Sequence, residues 1–141
     1  MKLSARNVLV GQVAEVTQGT VSTLVGLTLK GGARLYATIT NDSVAALGLQ
    51  PGTEAFAIVK ASAVIVGTDL HRARVSARNL LCGKVCKVVD GPVSAEVDIE
   101  VAPGVVISAV ITHESVKSLD FQIGDHACAL FKASSVILGV N

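Results

Sequence analysis

Val93, Ala95, Val97, Ile99 and Val101 alternate with Ser94, Glu96, Asp98 and Glu100. A period of two puts successive side chains on opposite faces of a strand, one buried and one wet. Val21, Thr23, Val25, Leu27 and Leu29 keep the same phase in the first half of the chain. Further strands are predicted over 8–17, 34–40, 54–60 and 62–67, each with a counterpart 72 residues on. Gly11 and Gly83 fall inside the first strand of each set, where a bulge or sharp bend is the usual meaning. Gly19 and Gly91 occupy the turn before the second strand. One segment leaves the period of two. Thr40-Asn41-Asp42-Ser43-Val44-Ala45-Ala46-Leu47-Gly48 has a capping residue, an early acid and a terminal glycine, which predicts one or two helical turns. Residues 112–119 repeat it.

The counterparts are a tandem duplication. Residues 4–68 align with 76–140 without a gap, and 29 of the 65 pairs are identical, about 45%. The expected units are 1–68 and 76–141, joined by a polar linker at 69–75. Five short strands with one helix between the third and fourth predict an all-β protein of two tandem OB-like five-stranded barrels, each with one short helix. Barrels of this size are marginal alone, and their apolar content invites burial against other subunits.

Composition narrows the function. Half of the 141 residues are apolar and 16% are charged, so a packed core is expected and disorder is not. The net charge of +1 and the four aromatics, Tyr36, Phe56, Phe121 and Phe131, argue against a nucleic-acid binder, which needs uncompensated cations and stacking platforms. No stretch approaches a membrane span, and Arg6 and Asn7 interrupt any apolar leader. The three cysteines read as reduced, buried thiols of a cytoplasmic protein, because Cys82, Cys86 and Cys128 stand where the first half has Val10, Ala14 and Phe56.

The duplication also acts as a filter, since a site built twice should keep its polar residues in both copies. Matched cations are Lys2/Arg74, Arg6/Arg78 and Lys60/Lys132, and the matched acid is Asp42/Glu114. Matched hydroxyls are Ser4/Ser76, Ser22/Ser94, Thr40/Thr112, Ser43/Ser115 and Ser62/Ser134. Fixed cations with neutral donors and no proton-transfer base are the chemistry of an oxyanion site. The plainer readings are a helix cap for Thr40 and Ser43 and solvated surface cations for Arg6 and Lys60. Lys60 interrupts an apolar run in both copies, which favours a partnered role. His113 and His126 match Asn41 and Glu54, so no metal-cation ligand set forms. No P-loop, nucleophile elbow or His-Glu-x-x-His appears, which argues against an enzyme.

Four motifs recur in order in both halves: Ser-Ala-Arg-Asn, Gly-x-Val-Ser, Ile-Thr-x-x-Ser-Val and Lys-Ala-Ser-x-Val-Ile. Together they resemble the molybdate-binding Mop domain of the molbindin family, over 4–68 and 76–140. The resemblance implies a homotrimer storing molybdate or tungstate in the cytoplasm, with oxyanions held at subunit interfaces and no organic cofactor, catalytic residue, nucleic acid or membrane involved. It assigns to binding Ser4, Arg6, Thr40, Ser43, Lys60, Ala61 and Ser62, and in the second half Ser76, Arg78, Thr112, Ser115, Lys132, Ala133 and Ser134. The alanines would act through main-chain N–H groups. Family members often carry Asn at the Ser22/Ser94 position, so no second type of site is assigned to that strand. The competing expectations are a nucleic-acid-binding OB module and a structural oligomer that binds no anion.

Overall fold

The computed structural model describes residues 2–141. The first half contributes β1 (Asn7–Gln18), β2 (Ser22–Leu29), β3 (Arg34–Thr40), α1 (Asn41–Leu47), β4 (Glu54–Val59) and β5 (Ile65–Gly67). The second contributes β6 (Asn79–Val89), β7 (Ser94–Ala102), β8 (Val105–Thr112), α2 (His113–Leu119), β9 (His126–Phe131) and β10 (Val136–Gly139). Short 3-10 turns occupy Ala61–Ala63, Leu70–Arg72 and Ala133–Ser135. Ala61–Ala63 and Ala133–Ser135 therefore start the last predicted strand of each half as a tight turn, and pairing begins only after them.

All ladders are antiparallel, and they form two five-stranded sheets in the orders β10-β4-β1-β2-β3 and β5-β9-β6-β7-β8. Each sheet curls until its end strands, β10 and β3 or β5 and β8, pack together. The fifth strand is exchanged between halves. Val136–Gly139 pairs with β4, and Ile65–Gly67 pairs with β9. The repeat bounds 1–68 and 76–141 thus describe the sequence, while each barrel in space borrows its last strand from the other repeat.

Inward positions carry the core: Val25, Leu27, Leu35, Val59, Val97, Ile99, Ile107 and Phe131 are fully buried, in one cluster that runs through both barrels. Two buried asparagines fasten the barrels together. Asn7, opening β1, donates through Nδ2 to Ser108 O at 2.8 Å and to Val59 O at 3.0 Å, and its Oδ1 accepts from Ser108 N at 2.7 Å. Asn79, opening β6, makes the equivalent pair of bonds to the main chain of Tyr36 on β3, at 2.8 and 2.7 Å.

The helices form where the sequence predicts them. Thr40 and Thr112 cap them by accepting from Ser43 N and Ser115 N, which satisfies an otherwise unpaired first-turn amide. α1 ends on Gly48 in the left-handed region, and α2 ends on Asp120 in the same region at φ 48°.

Two expectations need correcting. On β1 and β6 the bulges fall between Val13 and Glu15 and between Val85 and Lys87, not at Gly11 and Gly83, and a third irregularity lies between Glu100 and Ala102 on β7. Those glycines answer a close strand approach: a Cβ on Gly11 would lie 2.6 Å from Thr28 O, and one on Gly83 would overlap Glu100 O. The cysteines are not three buried thiols. Cys82 and Cys128 face each other across β6 and β9 and form a disulfide, while Cys86 is free and exposed at the bulge. A sequence separation of 46 hides the fact that antiparallel register sets the two side by side.

Candidate functional site

Register explains why the first and last motifs meet. Asn79 pairs with Phe131, so Ser76-Ala77-Arg78 entering β6 runs beside Lys132-Ala133-Ser134 leaving β9. Asn7 pairs with Val59, which brings Ser4-Ala5-Arg6 beside Lys60-Ala61-Ser62 in the same way. The exchange of halves completes each site. The turn at Ala133–Ser135 packs on β3 of the first half, and the turn at Ala61–Ala63 packs on β8 of the second.

Around the second-half motifs this geometry makes an open surface pocket of about 310 Å³, lined by Ser76, Ala77, Arg78, Lys132, Ala133 and Ser134 with Leu24 and Thr38 from β2 and β3. The Arg78 guanidinium stacks on the Tyr36 ring, 4.2 Å from its centroid. A cation held over a ring face is positioned without losing its in-plane donors. Among the described residues, neither Arg78 nor Lys132 has a carboxylate within ion-pair distance. The turn at Ala133–Ser135 opens without a side-chain cap, so its first amides lack an intrahelical acceptor. Two free cations, three hydroxyls and main-chain donors make a surface that accepts negative oxygen atoms.

The first-half set has the same motif pairing, but its facing residues differ: Ser108 replaces Tyr36, Val110 replaces Thr38, and a carboxylate approaches the arginine. Glu96 stands where the other pocket has Leu24, and its Oε1 lies 2.7 Å from Arg6 Nη1. Its other oxygen is 3.7 Å from Lys87 Nζ.

The helix-start motifs lie apart from the lining of the Arg78 pocket. Thr40 lies two residues beyond Thr38 on the same face of β3, about 7 Å further along the strand. Its hydroxyl donates to Ser43 Oγ at 2.8 Å while capping α1. Thr112 and Ser115 repeat that arrangement. Ser22 pairs with Thr40, and Ser94 with Thr112, at the same ends of their ladders.

A filter for matched polar residues passes over Leu24, Thr38, Tyr36 and Glu96. The first two are lining residues on the partner half, and Tyr36 matches Ser108. The Leu24/Glu96 mismatch was itself the available signal, because a charge appears on one copy only.

The TOBE domain profile matches residues 3–66 and 75–138, nearly the whole chain in two copies. The chain belongs to the TOBE-domain family. This tandem TOBE chain is 44% identical over 140 residues to the molybdenum-pterin-binding protein MopA of Rhodobacter capsulatus, covering 99% of this chain and 53% of that one. It is 42% identical over 69 residues to a probable molybdenum-pterin-binding protein of Haemophilus influenzae, covering 49% of this chain and 100% of that protein. The chain spans about half the length of the longer curated relatives it matches. A solved structure of the cytoplasmic molybdate-binding protein ModG, with molybdate bound, superposes with a TM-score of 0.96 at 42% identity, covering 100% of both chains. The Mop-type resemblance of the four motifs is borne out, and so is an all-β architecture of two tandem OB-like TOBE domains. No helix among the described residues is long and apolar enough to cross a membrane.

Proposed function

We propose that this TOBE chain binds molybdate or tungstate reversibly, as a cytoplasmic store of the oxyanion, with no chemical step. The observation that carries this reading is the Arg78–Lys132 pocket, whose two cations have no carboxylate partner among the described residues and whose other polar groups are hydroxyls and main-chain amides. Molybdate is a tetrahedral dianion near neutral pH, and charged donors with neutral hydrogen bonds hold such an ion without covalent chemistry. Selection against the smaller sulfate would come from the spacing of the donors once the shell closes around the ion, and an all-donor shell disfavours protonated phosphate. The match to a molybdate-loaded relative over the full chain supports the same ligand. Calorimetric titration with molybdate, sulfate and phosphate tests it: a strong heat for molybdate alone is expected, and equal or absent heats for all three would overturn it.

The store is a homotrimer, with Thr40, Ser43, Thr112 and Ser115 available to sites completed at subunit interfaces. Support comes from an outward apolar stripe. Ile137, Ile58 and Val8 stand abreast across β10, β4 and β1, with Phe56 and Val10 on the next pair of rungs. Ile137 and Val10 are 63% and 58% exposed, and contiguous exposed apolar surface of this kind marks an association face. Light scattering should give three chains with or without molybdate, and a monomer in both conditions would refute the interface-site reading.

A further inference from the structure

The two motif sets come from one duplicated unit, yet the residues that face them have diverged, most consequentially at position 24/96. In the Arg78 pocket the facing residues on β2 and β3 are Leu24 and Thr38, both uncharged. Their counterparts on β7 and β8 are Glu96 and Val110. Glu96 is largely buried, with its side chain 11% exposed, and reaches Arg6 at 2.7 Å. Lys87 steadies the far oxygen at 3.7 Å. The carboxylate therefore already supplies Arg6 with the negative oxygen that a bound oxyanion would supply. Arg78 has no such acid and rests on the Tyr36 ring instead. Position 36 in the other copy is Ser108, so Arg6 has no equivalent ring to hold it apart from its acid.

Resting on the oxyanion-binding reading above, we propose that the pockets are unequal: the Arg78/Lys132 pocket takes the tetrahedral dianion, and Glu96 keeps the Arg6/Lys60 pocket closed to it. A dianion reaching Arg6 must break a short charge-assisted hydrogen bond and then sit beside the displaced carboxylate. A like charge next to the ligand opposes binding, and although Arg6 is 60% exposed, the carboxylate itself is largely shielded from water. The neutral Leu24 imposes neither cost on the other pocket. Glu96 thus acts as a built-in competitor that fixes how many anions each chain carries.

The test uses the full chain and sodium molybdate in calorimetric titration, with the assembly checked by light scattering. Glu96→Leu installs the residue of the open pocket, and Glu96→Gln removes the charge with little change in shape. Each variant is expected to gain a further class of sites, at least tenfold tighter than the wild-type protein shows there, and to raise the molybdate bound per chain. Adding Arg6→Ala to either variant should abolish the gain, while Arg78→Ala should weaken the wild-type sites by tenfold or more. Unchanged stoichiometry and affinity in both Glu96 variants would overturn the inference while leaving the oxyanion reading intact. So would a gain that survives Arg6→Ala, or wild-type sites untouched by Arg78→Ala. A wild-type protein that takes up no molybdate, with both Glu96 variants equally inert, would instead overturn the oxyanion reading and this inference with it.

Discussion

Asn7 is 1% exposed and makes three hydrogen bonds, two of them to Ser108 in the opposite half. Replacing it with alanine removes all three and leaves Ser108 N–H and two carbonyl groups to find other partners near the junction of the barrels. At roughly 0.5–1.5 kcal/mol net per bond, with part of a desolvation penalty where water cannot enter, Asn7→Ala should cost about 2–4 kcal/mol. Asn79 makes two bonds to Tyr36, so Asn79→Ala should cost less, about 1–3 kcal/mol on the same scale. Urea unfolding followed by circular dichroism, at one fixed protein concentration because assembly contributes to stability, measures both. The exchange of β5 and β10 makes each half part of the other's sheet, so the wild-type curve should show one transition rather than two. A loss below about 0.5 kcal/mol for Asn7→Ala would mean that these bonds are replaced by water at no cost. Two resolved transitions in the wild type would refute the coupling of the halves.

His113 takes the place of Asn41, which latches the β1–β2 turn by donating to Gly19 O; the second half uses a contact of 2.8 Å between His113 Nδ1 and Asp90 Oδ1 instead. The hydrogen bond that His113 donates to Asp90, and then the Asp90 charge, raise the imidazole pKa above its ordinary value. The sign follows: the latch contributes fully below the unfolded histidine pKa and fades as pH rises through the raised folded value. NMR titration should find His113 protonating above ordinary histidine and falling back in Asp90→Asn; an identical midpoint in both proteins would refute the pairing. Cys86 is exposed, yet partial burial, followed by the Asp98 and Glu100 carboxylates, pushes its thiol pKa up. Since the thiolate is the nucleophile, alkylation by iodoacetamide near pH 8 should run slower than for an unstructured peptide thiol, and an equal rate would contradict the cause given. Asp120 ends α2 at φ 48° where the first copy has Gly48. Asp120→Gly should therefore stabilise the protein by about 0.5–1 kcal/mol, and a lowered melting temperature would show that the Asp120 side chain matters more than its backbone strain.

The fold was legible where the physics is local. Alternation along β2 and β7, the threonine caps and Gly48 each depend on a few neighbouring residues, and each element formed where that pattern lay. What escaped the sequence depends on which strand pairs with which. The last strand of each repeat carries the same apolar pattern whether it closes its own barrel or the other, so Ile65–Gly67 and Val136–Gly139 gave no sign of their exchange. Cys82 and Cys128 likewise became neighbours only through the β6–β9 register. The candidate site divides in the same way. Arg78 and Lys132 are legible because both copies keep them, but Leu24, Thr38 and Tyr36 reach the site through the junction of the halves.

The strand exchange also bears on how one chain can carry two different sites. Each pocket is assembled from the motif ends of one repeat and the β2–β3 face, or its β7–β8 counterpart, of the other. In an assembly of single identical repeats every such face is the same residue, and a Leu-to-Glu change there would close all the sites at once. Duplication within one chain uncouples them: within the chain, position 24 lines the Arg78 motif and position 96 pairs with the Arg6 motif. Glu96 could then arise beside one pocket while the other kept its uncharged wall. The exchanged strands and the Asn7 and Asn79 bonds hold the two repeats in the single arrangement that keeps these assignments apart.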